Sequence, residues 1–253
     1  MGSRNIFLYW VGNEYKLIIL LRKLIYLHSK NGKGYNVILL NNQNIYEYIQ
    51  YIPNYFGNLC YAHQADFVRV NVICDYGGIW LDSDTLVMDT LDSLFDIIET
   101  KNGFFIKQNN AELWNGIFGS KKQTTLMVEW KRKMIQVLDS KKHAISWTEI
   151  GNDMLETFSH QNPLLFHNYE VFNGLDNLYP INFDRCIEEF INKPYDNYKN
   201  IIREYQPLIV LVSCVYRSIE NFNYDALLNG NMPLNYFINK SLANLKMSIH
   251  DLD

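Results

Sequence analysis

Two carboxylates, Asp82 and Asp84, stand two residues apart at the end of a short apolar run, Ile79 to Leu81. If the chain stays extended there, both side chains point to one face, with Cα atoms about 6–7 Å apart. Carboxylates about 5 Å apart at an effective dielectric of about 20 repel by roughly 3 kcal/mol, and a divalent cation removes that repulsion. Mg²⁺ or Mn²⁺ takes hard oxygen ligands and fills its shell with water and phosphate, so one or two carboxylates suffice to hold it. The competing reading is a solvated loop in which Ser83 or Asp84 caps the next element. An isolated D-x-D, being short and common, favours that reading.

The residues upstream change the balance. Asp66 and Arg69 are three apart on a helix expected from about Tyr61 to Asp75, so they are neighbours on its surface. Ala65, Val68, Val72 and Tyr76 form the apolar stripe beside them. As an exposed pair they would contribute a few tenths of a kcal/mol. Gly77-Gly78, however, ends the helix and turns the chain sharply into the strand that carries Asp82. The pair is thereby brought near the D-x-D and can face a ligand. Arg69 can make bidentate bonds to phosphate or sugar oxygens, and Asp66 can accept from sugar hydroxyls.

The elements that position these groups alternate. Strands are expected at Ile6 to Val11, Asn36 to Leu40 and Ile79 to Leu81, with helices at Glu14 to Ser29 and Tyr61 to Asp75 between them. Strand–helix–strand alternation implies an α/β fold with a mostly parallel sheet, whose ligands bind at the carboxyl ends of the strands. Later segments read as strands at Gly103 to Lys107, Gly116 to Gly119 and Leu208 to Cys214. Helices are expected at Thr124 to Leu138, Trp147 to Phe158 and Pro233 to Met247. The 253 residues fit one domain, with a soft division near residue 120 between a nucleotide-binding half and an acceptor-side half.

Composition excludes several classes. At 48% hydrophobic residues the chain is no disordered segment, and a net charge of -4 argues against a nucleic-acid partner held by bulk positive charge. No run approaches the roughly 18–20 apolar residues a membrane helix needs. The basic stretch Lys121 to Lys142 allows at most peripheral membrane contact and reads more simply as a solvated face. Cys60, Cys74, Cys186 and Cys214 are scattered, which fits reduced thiols in a cytoplasmic setting rather than a disulfide framework or zinc site. The 15% aromatic content suits sugar and base stacking but serves equally as core.

The run A-D-x-x-R followed by Y-G-G-I-W-x-D-x-D resembles the signature of the DXD-containing sugar transferases of glycosyltransferase family 32. That group includes yeast mannosyltransferases, capsular polysaccharide transferases and, distantly, the glucosylating domains of large clostridial toxins. The specific match covers about 25 residues and weaker similarity runs from Ile6 to about residue 130. The resemblance implies a GT-A fold and a nucleoside-diphosphate sugar donor, a UDP- or GDP-sugar. It further implies Mn²⁺ or Mg²⁺, a glycan or glycolipid acceptor and retention of anomeric configuration. Asp84 then resembles the direct metal ligand, and Asp82 the residue shared by metal, ribose and sugar. Asp66 and Arg69 resemble the pair that holds the donor sugar, with Gly78 and Ser83 within the signature. Trp80 takes the place of an aromatic lining the donor site, Tyr9 or Trp10 that of the aromatic near the base, and Asn115 that of an Asn reaching sugar or acceptor. Asp153 lies where relatives carry a Gly-Pro pair; it could reach a sugar hydroxyl or simply sit on a surface helix. Relatives often close over the diphosphate with a C-terminal His and Trp, whereas here Leu208 to Val212 leads into Ser213, Cys214, Val215 and Tyr216. Tyr216 or Arg217 could substitute. That departure leaves open a nucleotide-sugar-binding module without turnover. A metal-dependent phosphohydrolase ranks last, because Trp10, Val11 and Gly12 follow the first strand where a nucleophilic Asp would be needed.

Overall fold

The computed structural model describes residues 4–107, 112–142, 144–174, 207–211 and 221–247. Its strands are β1 (Asn5–Tyr9), β2 (Asn36–Leu40), β3 (Gly78–Leu81), β4 (Thr85–Val87), β5 (Gly103–Lys107), β6 (Leu113–Ser120), β7 (Tyr169–Asn173) and β8 (Leu208–Val210). The principal helices are α1 (Lys16–Asn31), α2 (Tyr61–Tyr76), α3 (Asp92–Thr100), α4 (Thr125–Lys141) and α5 (Asn152–Gln161). They group into two compact units, one of residues 1–11, 35–82 and 93–172, the other of residues 12–34, 83–92 and 173–253.

The first unit is built on a six-stranded sheet in the order β2-β1-β3-β6-β5-β7. β1 pairs in parallel with β2 and with β3, while β6 is antiparallel to β3 and to β5. Thus β1, β2, β3 and β5 run one way and β6 is reversed, the mostly parallel α/β sheet expected from the alternation. β1 and β3 are buried along their whole length, as strands covered by helices must be. α2 packs against β1, β3 and α4, and Phe67, Val68, Val70, Val72, Ile73 and Cys74 join Phe7, Trp80, Phe118 and Trp130 in one core. The stripe expected on α2 is therefore too narrow: the helix is buried on nearly every side, and its polar residues Gln64, Asp66, Arg69 and Asn71 are buried with it.

Gly77 and Gly78 explain how α2 hands over to β3. Both have positive φ, at 69° and 117°, and a Cβ on Gly78 would lie 2.4 Å from the Asn5 carbonyl oxygen of the neighbouring strand. Only glycine combines that conformation with that approach. Beyond β3 the chain takes the loop reading of the D-x-D rather than the extended one: Asp82 follows Leu81, the last residue of the strand, and Ser83 and Asp84 form a turn before β4. The two carboxylates are thus not a strand pair on one pleat.

The second unit contains α1, the two-stranded antiparallel sheet of β4 and β8, and helices at Tyr224–Leu228 and Pro233–Asn244. α1 lies against β4 and buries Leu17, Ile18, Leu20, Leu21, Leu24 and Ile25. Residues 212–220 lie outside the described residues, and with them Tyr216, Arg217 and the question of closure.

Candidate active site

The site grows from α2 and the carboxyl end of β3, both in the first unit. Arg69, only 5% exposed, is its hub. Its Nη2 lies 3.2 Å from Asp82 Oδ1, its Nε 3.4 Å from Asp66 Oδ1, and its Nη1 donates to the Asn115 carbonyl at 2.6 Å. Trp80, two residues before Asp82 and so on the same face of the strand, carries the guanidinium 5.0 Å from its ring centre. Its Nε1 donates to Asp82 Oδ1 at 2.9 Å. Asn115, on β6, closes the group by donating from Nδ2 to Asp66 Oδ1 at 2.7 Å.

The electrostatics follow from burial. Desolvation pushes the Asp66 and Asp82 carboxyls above their ordinary values; Arg69 opposes this at both, helped by Asn115 at Asp66 and Trp80 at Asp82. One cation thus serves a buried acid and a half-buried one, an arrangement that costs desolvation energy and contributes little to stability by itself. Asp82 is the more open, with 29% of its side chain exposed against 8% for Asp66.

Two glycines make room around these acids. A Cβ on Gly116 would sit 2.1 Å from the Trp114 ring and 2.6 Å from Asp82 Oδ2. A Cβ on Gly151 would sit 2.4 Å from Asn115 Nδ2 and 3.1 Å from Asp66 Oδ2. The segment before α5 therefore presses its backbone onto the site, and Asn152 Oδ1 accepts from the Asn115 amide at 3.0 Å. On the other side of α2, the Tyr9 hydroxyl lies 2.5 Å from Asn42 Oδ1 and 2.8 Å from Gln64 Oε1, at the carboxyl ends of β1 and β2.

Of the residues singled out in the sequence, Asp66, Arg69, Trp80, Asp82 and Asn115 come together directly. Gly78 acts at the opposite end of β3, where it admits the neighbouring strand. Tyr9 lies buried in its own polar group, and Trp10, half-buried, follows β1 with its amide on the Leu40 carbonyl. Ser83 is buried and Asp84 half-buried in the turn after Asp82. Asp153 is exposed, and its Oδ2 accepts from Thr148 Oγ1 at the start of α5. In that segment Asn152 and Gly151 meet the site instead. Asn42, Gln64, Gly116 and Gly151 were not singled out for this role; Asn42 could have been found from its place just beyond β2.

For a divalent cation the site offers Asp82 Oδ2, since both bonds that Asp82 makes to Arg69 and Trp80 use Oδ1; Oδ2 itself lies against Gly116. Among the described residues no group of three or more His, Cys, Asp or Glu side chains could hold a metal. A cation here would therefore draw on the D-x-D carboxylates and on oxygens of a bound phosphate.

The fold is that of the GT-A glycosyltransferases. A glycosyltransferase involved in glycosylating the major capsid of the virus PBCV-1 superposes with a TM-score of 0.53 at 10% identity, covering 87% of this chain and 98% of that one. The apo form of the glycosyltransferase GlyE of Streptococcus pneumoniae TIGR4 gives 0.54 at 14% identity, covering 97% and 61%. The bifunctional WbbM glycosyltransferase gives 0.52 at 12% identity, covering 99% and 51%. No curated protein matches the chain in sequence. The model of the capsular polysaccharide synthesis protein family matches residues 1–208, and the chain belongs to that family. The family is one of capsular polysaccharide synthesis, and the fold is the one those glycosyltransferases share.

Among the described residues no helix is long and apolar enough to cross a membrane. On α4, Lys131 pairs with Asp75, Arg132 with Glu129 and Lys141 with Glu149, so much of the basic face is neutralised within the protein.

Proposed function

We propose that the chain is a metal-dependent glycosyltransferase that moves a sugar from a UDP- or GDP-sugar to a hydroxyl of a glycan or glycolipid acceptor, with retention of configuration. It would act in the cytoplasm as one GT-A catalytic domain. The observation that carries the reading is the buried Asp66–Arg69–Asp82 group with Asn115 and Trp80 at the carboxyl end of β3. Stability alone gives little reason to bury an arginine with one acid and set a second, half-buried acid against it. Such a group suits a ligand rich in hydroxyl and phosphate oxygens.

In this reading Asp66 and Asn115 hold the hydroxyls of the donor sugar, and Arg69 orients both acids and opposes the upward push that burial gives their pKa. Asp82 and Asp84 would hold Mn²⁺ or Mg²⁺, which when bound neutralises charge on the departing diphosphate. Tyr9, Asn42 and Gln64 offer a polar edge for the base. The anomeric C–O bond to phosphate breaks, the acceptor oxygen bonds to that carbon from the same face, and its proton passes to the leaving phosphate. This route requires no covalent nucleophile from the protein.

The test is a panel of UDP- and GDP-sugars with Mn²⁺, scored for nucleotide release by the wild type and by Asp84→Asn. Release by the wild type from at least one donor, reduced at least about 100-fold by the substitution, supports the reading. If no donor is turned over, or the substitution changes nothing, the reading fails.

A further inference from the structure

A buried indole must find a partner for its N–H, and two buried tryptophans of the first unit find partners of different kinds. Trp130 is 0% exposed and donates from Nε1 to the Ile150 carbonyl at 2.9 Å, a main-chain bond that fastens α4 to the segment before α5. Trp80 is 1% exposed and donates at 2.9 Å to Asp82 Oδ1, on a carboxylate whose side chain is 29% open to solvent. The first indole makes a bond of the scaffold. The second commits its only donor to an ionisable group of the site.

Trp80 meets the site from beneath. A ring with 1% of its surface exposed offers no face on which a sugar could stack. What it offers instead is support on two sides. Its edge holds Asp82 through Nε1, and its face carries the Arg69 guanidinium 5.0 Å from the ring centre. Arg69 Nη2 lies 3.2 Å from the same Asp82 Oδ1. Both partners of that ion pair therefore rest on one ring, which the core holds still: Trp80 packs in the cluster that includes Phe7, Phe67 and Phe118. With two donors on Oδ1, the carboxylate is held from turning about its terminal bond, and Oδ2 stays the oxygen against Gly116.

We propose that Trp80 is a positioning residue whose N–H fixes Asp82 Oδ1 and so keeps Oδ2 as the oxygen presented to the divalent cation of the donor complex. It acts through Asp82 and Arg69 and does not touch the donor. The inference rests on the transferase reading for the identity of that cation and its diphosphate.

Two variants separate the N–H from the ring. Trp80→Phe keeps an aromatic ring and removes the donor, and Trp80→3-benzothienylalanine keeps the bicyclic shape with sulfur in place of the N–H. Mn²⁺ uptake in the presence of UDP or GDP is read from loss of the free-ion EPR signal, and donor preference from nucleotide release across the panel of sugars. Both variants should bind Mn²⁺ about 10-fold more weakly than the wild type, the scale of losing a bond to a metal-ligating group, with the order of preferred donors unchanged. The proposal is overturned if the benzothienyl variant binds Mn²⁺ as tightly as the wild type, which would make Trp80 a packing residue. It is overturned equally if either variant changes which sugar is preferred, which would make the ring a wall of the donor site. If the wild type itself takes up no Mn²⁺ with UDP or GDP, the transferase reading falls and the proposal with it. Undiminished uptake by the benzothienyl variant beside a binding wild type sinks the positioning role alone.

Discussion

Two polar clusters among the described residues, one from each compact unit, are built on opposite principles. In the first unit Asp66, Arg69 and Asp82 bury charge, and burial pushes both acids upward while a single arginine holds them down. In the second, His28 is 1% exposed and neutral. Ser241 gives its hydroxyl hydrogen to the Val87 carbonyl at 2.6 Å, so it accepts from His28 Nε2 at 2.9 Å. Burial lowers the imidazole pKa to about 4, against a weaker upward pull from Asp89 and the Ser241 contact. The histidine cluster ties α1 to the helix Pro233–Asn244 and to β4. The charged cluster has two acids to one arginine, and Gly116 and Gly151 let the backbone approach those acids closely. The histidine cluster leaves His28 Nδ1 buried without a hydrogen-bond partner among the described residues, so the two clusters differ in charge rather than in closure.

The largest separation of the two clusters should come from Arg69→Met. It leaves buried Asp66 and half-buried Asp82 without their cation, so we expect loss of transfer by more than about 10³-fold and of about 3 kcal/mol in urea unfolding. A variant that retains activity would show that the network is only scaffold.

The histidine cluster should reveal itself through pH instead. His28 has a folded pKa below the unfolded one, so the unfolded chain takes up the proton first as pH falls. Its contribution is full above about 6.5 and is lost on descending to about 4, a span worth up to about 3 kcal/mol. Urea midpoints measured across that window should fall less steeply in His28→Gln, which removes the titration but keeps a donor for Ser241. Equal slopes would contradict the account.

Gly151→Ala tests the space around Asp66. The added methyl must displace Asn115 or the segment itself, and we expect activity to fall about 10–100-fold with a loss of about 1–2 kcal/mol. The smallest effect belongs to Asp153→Ala. Its bond to Thr148 is exposed, so stability should change by less than about 1 kcal/mol and nucleotide release by less than about twofold.

Much of the charged cluster was legible in the sequence because its members are local. Asp66 and Arg69 are one helical turn apart, and Trp80 and Asp82 share a strand face. The periods of helix and strand therefore fix their relations before any tertiary contact is known. The same local logic located β2 and β5 to the residue and α2 to within one. What escaped was non-local or depended on a turn. Asn152 rather than Asp153 meets the site because α5 begins at Asn152, five residues later than its apolar pattern implied, and a shift of one residue in a helix turns a side chain by about 100°. The turn at Ser83 and Asp84 follows the loop reading that stood beside the extended one, since Asp and Ser favour turns over strands. The His28–Ser241 contact joins residues 213 apart, which no periodicity can register.

The central claim is that the charged cluster binds and activates a sugar donor while the neutral one only holds the fold. It is tested most directly by nucleotide release from the best donor of the UDP- and GDP-sugar panel, at pH 7 with Mn²⁺, for Asp66→Asn beside His28→Gln. The account predicts a fall of at least about 100-fold for Asp66→Asn and less than about twofold for His28→Gln, with both chains folded. Equal rates for the two variants, or full release by Asp66→Asn, would contradict it.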